Sequence, residues 1–174
     1  MGKLRILELF SGIGAFTQAL KRLDIEHEIV DAVEIDKYAV KSYNAINGTD
    51  FEPQDITTWD KDLDVDFICG GFPCQDISVA GKQAGIVKGE TRSGLMFELM
   101  RIIEKTNPKY ILAENVKNII SDRHRPQLEL FLEFLSGLGY KVTMDVMNAK
   151  DYGIPQNRER VFILGIKDDE EKNL

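Results

Sequence analysis

One cysteine, Cys74, stands where a nucleophile would be well placed. It follows the short apolar run from Val65 to Cys69, which has the composition of a buried strand, and two glycines end that run. Pro73 stiffens the backbone just before the thiol. A thiolate on such a loop could act as a nucleophile, but a free cysteine taken by itself is more often a small buried hydrophobe. Residues elsewhere in the chain must therefore decide between the two interpretations.

A glycine-containing turn, FSGIGAF at residues 10–16, follows the first predicted strand. Gly12 and Gly14 would let the backbone approach a bound nucleoside, and the next helix would present its N–H groups there. Thr17 stands where a dinucleotide fingerprint has its third glycine, so a plain tight turn explains the pair about equally well. Glu34 comes 20 residues after Gly14, at the end of the second predicted strand. Glu34 favours the interpretation of the turn as a ligand site, because its carboxylate could accept hydrogen bonds from both hydroxyls of a ribose.

Asp55 is a second acidic candidate for the same ligand. It lies in Gln54-Asp55-Ile56, where we predict the end of a short third strand. Its carboxylate could bind an adenine amino group, although a role as an ordinary turn residue fits the spacing equally well.

Two more sets of polar groups lie next to apolar strands. Glu114 follows the run from Tyr110 to Ala113, where a partly desolvated carboxyl group could donate a proton near neutral pH. Arg158 and Arg160 precede the last predicted strand and offer two guanidinium groups at alternate positions. Taken singly, each set fits a surface ion-pair element better than a catalytic site.

These candidates all lie at or near the ends of predicted strands. Apolar runs of strand length alternate with amphipathic segments, giving strands at 5–9, 27–34, 67–70, 110–115, 140–148 and 161–165, and helices at 16–23, 37–47, 94–105 and 126–138. Asp36 can cap the second helix and Gly48 can end it. The alternation predicts an α/β fold, with a twisted and mostly parallel sheet and helices on both faces.

Composition limits the remaining possibilities. The chain has 174 residues, 43% of them hydrophobic, which predicts one globular domain with a real core. Two cysteines and two histidines form neither a zinc pattern nor a disulfide framework, and no stretch has the length of a membrane helix. We therefore expect no metal, no membrane and a cytoplasmic location, or a nuclear one in a eukaryote. A net charge of −7 would repel nucleic acid if it were spread evenly, but acidic residues concentrate at 60–64 and 168–171, so a locally basic face can exist.

Six segments together resemble one protein family along almost the whole chain. They are FSGIGAF (10–16), EID (34–36), QDI (54–56), GGFPCQDIS (70–78), ENV (114–116) and QNRERVFILGI (156–166). Their order and rough spacing are those of the DNA (cytosine-5) methyltransferases, which use S-adenosylmethionine. The resemblance implies a class I methyltransferase, Rossmann-like domain at residues 1–166 and an acidic tail at 167–174. It also implies a cofactor site lined by Phe10, Gly12, Ile13, Gly14, Glu34, Ile35, Asp55, Ile56 and Pro73.

The same resemblance implies the catalytic roles. Cys74 would be the nucleophile that attacks C6 of a cytosine flipped out of DNA. Glu114 would contact N3 and the amino group of the base, and Arg160, with Arg158 nearby, would hold the base or its phosphate. A mobile loop that closes over DNA would contain Gln75, Ser78 and Arg92.

The chain departs from the family pattern in two places. Ala15 stands where the family commonly has another glycine, and its small methyl group should leave cofactor binding intact. Family members normally continue after QNRER with a target-recognition region and two further motifs, whereas this chain ends at Leu174. We therefore hypothesise the catalytic part of a split or truncated enzyme, with a second polypeptide that supplies target recognition. Two alternatives stay open: an RNA (tRNA) cytosine-5 methyltransferase, and an inactive binding or regulatory fragment.

Overall fold

Six β-strands form one sheet in the computed structural model of the chain, which describes residues 2–73 and 94–168. The strands are β1 (Leu4–Leu9), β2 (His27–Val33), β3 (Phe67–Gly71), β4 (Tyr110–Val116), β5 (Tyr140–Asn148) and β6 (Glu159–Lys167). They lie across the sheet in the order β2-β1-β3-β4-β6-β5. β6 reaches one residue into the segment 167–174 that the sequence assigns to an acidic tail.

The sheet is mostly parallel, as predicted. β1 pairs in parallel with β2 and β3, and β3 pairs in parallel with β4. β6 runs antiparallel to its neighbours β4 and β5. The other five described strands therefore end at the same edge of the sheet, which is where ligands bind in open α/β sheets.

Four α-helices accompany these strands in the described part of the chain: α1 (Ala15–Arg22), α2 (Lys37–Asn47), α3 (Leu95–Thr106) and α4 (Arg125–Gly137). The ends of α2 follow from local sequence. The Asp36 carboxylate accepts hydrogen bonds from the N–H groups of Tyr38 and Ala39, and Gly48 ends the helix at φ 69°. The helix boundaries expected from periodicity are thus reproduced to within a residue or two.

Helices cover both faces of the sheet, because successive strand residues point to opposite sides. Leu7 and Leu9 of β1 belong to the larger apolar cluster, together with buried residues of α3 and α4. Ile6 belongs to a smaller cluster that includes Leu20 of α1. The predicted two-faced arrangement is therefore confirmed.

The third strand expected before Asp55 is absent: residues 48–66 contain no strand in the structure. Local composition suggested a strand, but this segment is fixed by side-chain contacts with residues distant in sequence. The buried carboxylate of Asp31 accepts hydrogen bonds from Gln54 and Trp59, each at 2.8 Å. Such long-range contacts override the local propensity.

None of the helices in the described ranges combines the length and the apolar character that crossing a bilayer requires. Within those same ranges, no cluster of three or more histidine, cysteine, aspartate or glutamate side chains could hold a metal ion.

Candidate active site

The turn between β1 and α1 has a conformation that glycine permits. Gly12 and Gly14 have φ values of 52° and 90°, in the region that residues with a Cβ atom rarely adopt. A Cβ on Gly14 would lie 2.7 Å from Asn47 Nδ2, whereas one on Gly12 would meet no atom within 4 Å. Gly14 therefore serves the packing of α1 against α2, and Gly12 leaves open space that a ligand can approach.

Glu34, directly after β2, closes this turn. Its Oε2 accepts a hydrogen bond from the Gly12 N–H at 3.0 Å, and its Oε1 accepts one from the Asp36 N–H at 2.9 Å. Each carboxylate oxygen has two lone pairs, so Glu34 keeps acceptor capacity for the hydroxyls of a ribose. The geometry fits the ligand interpretation of the turn.

Asp55 is exposed and follows Gln54, whose N–H donates a hydrogen bond to the Glu34 carbonyl oxygen at 2.8 Å. Its Oδ1 accepts hydrogen bonds from the backbone N–H and the hydroxyl of Thr57, at 2.9 and 2.8 Å. These bonds lower the pKa of Asp55, with the backbone bond contributing most, so the group is an anion at neutral pH. Only one oxygen is used in this way, which leaves Oδ2 able to accept from an amino group.

The apolar residues of the implied cofactor site divide into two kinds. Ile13 and Ile35 are exposed, at 55% and 67%, while Ile56 is buried in the larger cluster. Phe10 is partly buried and has φ 51°. Exposed isoleucines beside an open glycine turn are suited to cover an aromatic ring of a ligand.

Glu114 near the end of β4 is held by an arginine from β6. Arg160 Nε lies 2.8 Å from Glu114 Oε1, and Arg158 NH2 lies 4.0 Å from the same oxygen. The pairing of Val116 with Arg160 in the antiparallel β4–β6 ladder brings these residues together. The predicted carboxyl and both predicted guanidinium groups therefore form one cluster.

The other oxygen of Glu114 lies against β3. A Cβ on Gly71 would come within 2.7 Å of Glu114 Oε2, so any larger residue would force the carboxyl group to move from this place. Next to it, Asn115 Nδ2 donates a hydrogen bond to the Phe72 carbonyl oxygen at 3.0 Å. Glu114 and Asn115 thus contact the segment that leads to Cys74.

Four residues that the sequence singles out lie outside the described residues: Cys74, Gln75, Ser78 and Arg92. The described segment ends at Pro73, which is partly buried, after Phe72, whose ring is buried against Phe131. This packing and the Asn115 hydrogen bond anchor the backbone immediately before Cys74.

A cavity of about 590 Å³ joins parts of the two predicted sites. Its lining combines the glycine turn and α1 with the Glu114 cluster and the end of β5: Phe10, Ser11, Ala15, Phe16, Ala19, Gly71, Glu114, Met147, Asn148, Ala149, Tyr152, Arg158, Arg160 and Phe162. Its volume is that of small-molecule sites. Four of the predicted site residues line it: Phe10, Glu114, Arg158 and Arg160. The other predicted cofactor residues are not among its lining residues: Gly12, Ile13, Gly14, Glu34, Ile35, Asp55, Ile56 and Pro73.

Sequence analysis missed several residues of this cavity. Asn148 holds the segment before β6: its Oδ1 accepts from the Arg158 N–H at 3.1 Å, and its Nδ2 donates to Asn157 Oδ1 at 2.7 Å. Tyr152 and Met147 line the wall beside it. The position of Asn148 at the end of a predicted strand could have indicated a site residue. Tyr152 and Met147 could not be found in this way, because only the fold brings them to the cavity.

Behind the turn lies a buried polar network. The Glu8 carboxyl group accepts hydrogen bonds from Thr17 and Tyr43, and all three side chains are buried. Burial raises the pKa of Glu8 more than these bonds lower it. Cys69, on the same face of the sheet, is fully buried, and desolvation raises the pKa of its thiol well above the ordinary value. Cys69 is therefore a structural, unreactive thiol.

Comparisons with known proteins give the family that the chain matches. The sequence model of a family described as C-5 cytosine-specific DNA methylase matches residues 4–174. The orphan methyltransferase M.SPRI of Bacillus phage SPR is 41% identical over 177 residues, which cover 99% of this chain and 40% of that protein. The type II methyltransferase M2.ScrFI of Lactococcus lactis subsp. cremoris is 37% identical over 219 residues, covering 94% and 61%. The chain thus spans less than two thirds of the length of these relatives.

Solved structures show the same fold. A crystal structure of a Spodoptera frugiperda DNMT2 mutant superposes with a TM-score of 0.76 and 26% identity, over 99% of this chain and 52% of that one. The S. pombe Dnmt2 methyltransferase gives a TM-score of 0.73 and 25% identity, over 95% and 50%. The fold is therefore that of the class I S-adenosylmethionine-dependent methyltransferases.

Proposed function

The chain belongs to the family of C-5 cytosine-specific DNA methylases, and we propose that it carries the methyl-transfer site of a DNA (cytosine-5) methyltransferase. The observation that carries the proposal is the placement of Glu114. One of its carboxyl oxygens is held by Arg160 at 2.8 Å, and the other lies against Gly71, three residues before Cys74. One cavity is thus lined by Glu114, Arg160 and Gly71, and also by Phe10 and Ser11 of the glycine turn.

Cys74 is the proposed nucleophile. C5 of cytosine is too poor a nucleophile to accept a methyl group directly, so the Cys74 thiolate first forms a bond to C6 and makes C5 electron-rich. S-adenosylmethionine, when bound, supplies the methyl group from its sulfonium centre. Loss of the proton from C5 then restores the double bond as the Cys74 thiolate leaves C6. C6 is hidden in duplex DNA, so the base must be flipped out, at a cost on the order of a few kcal/mol.

Glu114 and the two arginines orient the base and stabilise developing charge. Arg160 fixes the carboxyl group, whose Oε2 can contact N3 and the amino group of cytosine and absorb the charge that develops when C6 is attacked. Arg158 is half exposed, with 48% of its side chain accessible, so it can reach a phosphate oxygen or the base.

The cofactor would be held at the edge of the sheet by groups from three loops. Gly12 leaves the approach open, Glu34 offers acceptors for the ribose hydroxyls, and Asp55 offers one for the adenine amino group. Ile13 and Ile35 would pack on the adenine ring, while the buried Ile56 would support the turn. Phe10 and Gly14 of the turn and Pro73, which follows β3, complete the proposed site.

We further propose a second polypeptide that supplies target recognition and the C-terminal motifs. Two observations support it. The α1 side of β6 carries apolar side chains that the chain leaves accessible, Leu164 at 36% and Ile166 at 41%. Apolar strand residues of this kind suit contact with another protein segment. The net charge of −7 also favours a DNA-reading surface that lies elsewhere.

Two substitutions test the nucleophile. Cys74→Ser should abolish methyl transfer but leave cofactor binding within about two-fold, because serine cannot supply a thiolate. Cys69→Ala is the matched control and should keep methyl transfer, since that thiol is buried and protonated. DNA containing 5-fluorocytosine should form a permanent adduct with the wild type and none with Cys74→Ser, because fluorine cannot leave C5 as a proton does. Turnover by Cys74→Ser would remove Cys74 from its role.

A comparison of substrates and partners separates the alternatives. Radioactive methyl incorporation should appear in DNA and not in tRNA, and only when the complementing polypeptide is added. Incorporation into tRNA alone would establish the RNA activity instead. Robust sequence-specific DNA methylation by the purified 174-residue chain would overturn the split-enzyme proposal. Failure of the wild type to bind S-adenosylmethionine in a calorimetric titration would favour an inactive fragment.

A further inference from the structure

The segment between α2 and β3 carries Asp55 and Ile56 without the support of a strand. Its backbone is tied to the sheet by the Gln54 N–H, which donates to the Glu34 carbonyl at 2.8 Å, and by the Asp66 N–H, which donates to the Arg5 carbonyl at 2.9 Å. The long stretch between these points has no ladder partner in the described structure. Side-chain contacts must therefore fix the position of Asp55.

These contacts converge on Asp31 of β2, a carboxylate that is 2% exposed. Its Oδ1 accepts a hydrogen bond from Gln54 Nε2, and its Oδ2 accepts from Trp59 Nε1 and Lys61 Nζ, all at 2.8 Å. A buried carboxylate is stable only with such donors. Gln54 and Trp59 stand on either side of Asp55 in sequence, so one buried anion fixes both ends of the turn.

A second element holds the outer side of the same turn. Arg101 of α3 donates from NH2 to the Ile56 carbonyl oxygen at 3.0 Å, and its Nε pairs with Glu98 at 2.7 Å. Ile56 itself is buried, at 6% exposure, and Trp59 at 3%. The turn is therefore clamped between β2 and α3, and Asp31 is the charged group on the sheet side.

We propose that Asp31 is a positioning residue for the adenosine end of S-adenosylmethionine. It does not contact the cofactor, but through Gln54 and Trp59 it holds the turn that presents the Asp55 carboxylate. The proposal rests on the proposed function. If the turn adopts its binding conformation only part of the time, the observed dissociation constant rises in inverse proportion to that fraction.

Asp31→Asn tests the proposal, because it replaces one of the two accepting oxygens with an amide NH2 group, which can only donate. That group would face another donor, either Gln54 Nε2 or the pair Trp59 Nε1 and Lys61 Nζ, so at least one of these hydrogen bonds is lost. We expect about ten-fold weaker S-adenosylmethionine binding by calorimetry, which corresponds to the turn being ordered about a tenth of the time. Amide hydrogen exchange at residues 57–59 should become faster without ligand. Turnover at saturating cofactor should change little, so the effect falls on KM and not on kcat.

Asp66→Asn is the matched control. Asp66 lies at the other end of the segment, where its carboxylate accepts from Arg5 Nε at 3.1 Å. This variant should lose stability but keep its cofactor affinity within about two-fold. Equal affinity in Asp31→Asn and the wild type would overturn the proposal, as would equal weakening in both variants, since that would indicate a general loss of stability.

Two further readouts keep the test decisive. Trp59 is the single tryptophan, so its emission should shift in Asp31→Asn and not in Asp66→Asn. If Asp31→Asn does not fold, Trp59→Phe removes the indole donor and keeps an aromatic ring; about three-fold weaker binding would support the proposal and unchanged binding would overturn it. A wild-type chain that binds no S-adenosylmethionine would instead favour the inactive fragment over the proposed function, and this proposal would fail with it.

Discussion

Replacing Gly71 with alanine should disable the site with little effect on the fold. The new Cβ would lie 2.7 Å from Glu114 Oε2, whereas ordinary contacts begin near 3.4 Å, so the carboxyl group must withdraw by about 0.7 Å. That movement also disturbs its 2.8 Å contact with Arg160. A misplacement of about 1 Å in a catalytic group can cost on the order of 100-fold in rate. We expect methyl transfer to fall by about 10- to 100-fold.

The stability cost of Gly71→Ala should be small, because the group that yields is the end of a flexible side chain. We expect about 1 kcal/mol, which lowers Tm by about 2–4 °C in a chain of this size. Gly70→Ala is the contrasting variant. Its Cβ would lie 2.1 Å from the backbone carbonyl oxygen of Leu9, which cannot yield without separating β1 from β3. That variant should lose about 3 kcal/mol or more, and about 6–12 °C in Tm.

The assay is single-turnover methyl transfer, with the complementing polypeptide where activity requires it, beside thermal unfolding and calorimetric cofactor binding. Gly71→Ala should be slow, folded and able to bind cofactor, while Gly70→Ala should be unstable. Wild-type rates in Gly71→Ala would refute the inference that the position of Glu114 governs the reaction. A Gly70→Ala chain as stable as the wild type would refute the close approach of β3 to Leu9.

Further substitutions test other contacts. Glu114→Gln should slow methyl transfer by about 100-fold without unfolding the protein, and wild-type turnover would contradict its role. Asn115→Ala removes the 3.0 Å bond to the Phe72 carbonyl; it should lower Tm by a few degrees, about 1 kcal/mol, and slow adduct formation at Cys74. Burial raises the pKa of Glu8 in the folded state above the value of about 4.5 that it has in the unfolded chain. Between these two pKa values the folded state binds more protons than the unfolded state, so the free energy of unfolding falls as pH rises through this range. Glu8→Gln should therefore gain more Tm at pH 7.5 than at pH 5, and an equal gain at both would refute the assignment.

Elements governed by local sequence could be predicted. The α2 helix is set by a cap at Asp36 and a left-handed Gly48. The β5 strand is set by apolar residues that alternate with polar ones between Gly139 and the turn after Asn148. The prediction of a strand before Asp55 was wrong, because hydrogen bonds to Asp31, more than twenty residues earlier, fix this segment. A buried carboxylate that collects donors from a distant loop leaves no signature in a local window.

The site could be predicted by residue type but not by contact. The family resemblance assigns Glu114, Arg158 and Arg160 to one site, but their contact depends on the antiparallel register in which Val116 faces Arg160. Nothing in the local sequence indicates that β6 runs against its neighbours. Gly14 shows the opposite case: its left-handed backbone could be expected, yet it serves the packing of α1 on α2 more than the approach of a ligand.

The charges at the site indicate that the residues for methyl transfer and the surface that attracts DNA are different parts of the enzyme. Arg160 is committed to Glu114 at 2.8 Å, so the cluster contributes little more than the charge of Arg158 towards a polyanion. At physiological salt the Debye length is about 8 Å, so this local charge acts on a base or phosphate already in the cavity and cannot offset a net charge of −7 at longer range. DNA affinity depends mainly on the number of phosphates neutralised. If the proposed function holds, the described cluster would orient a cytosine already in the cavity, and the basic surface that attracts DNA would belong to the proposed second polypeptide.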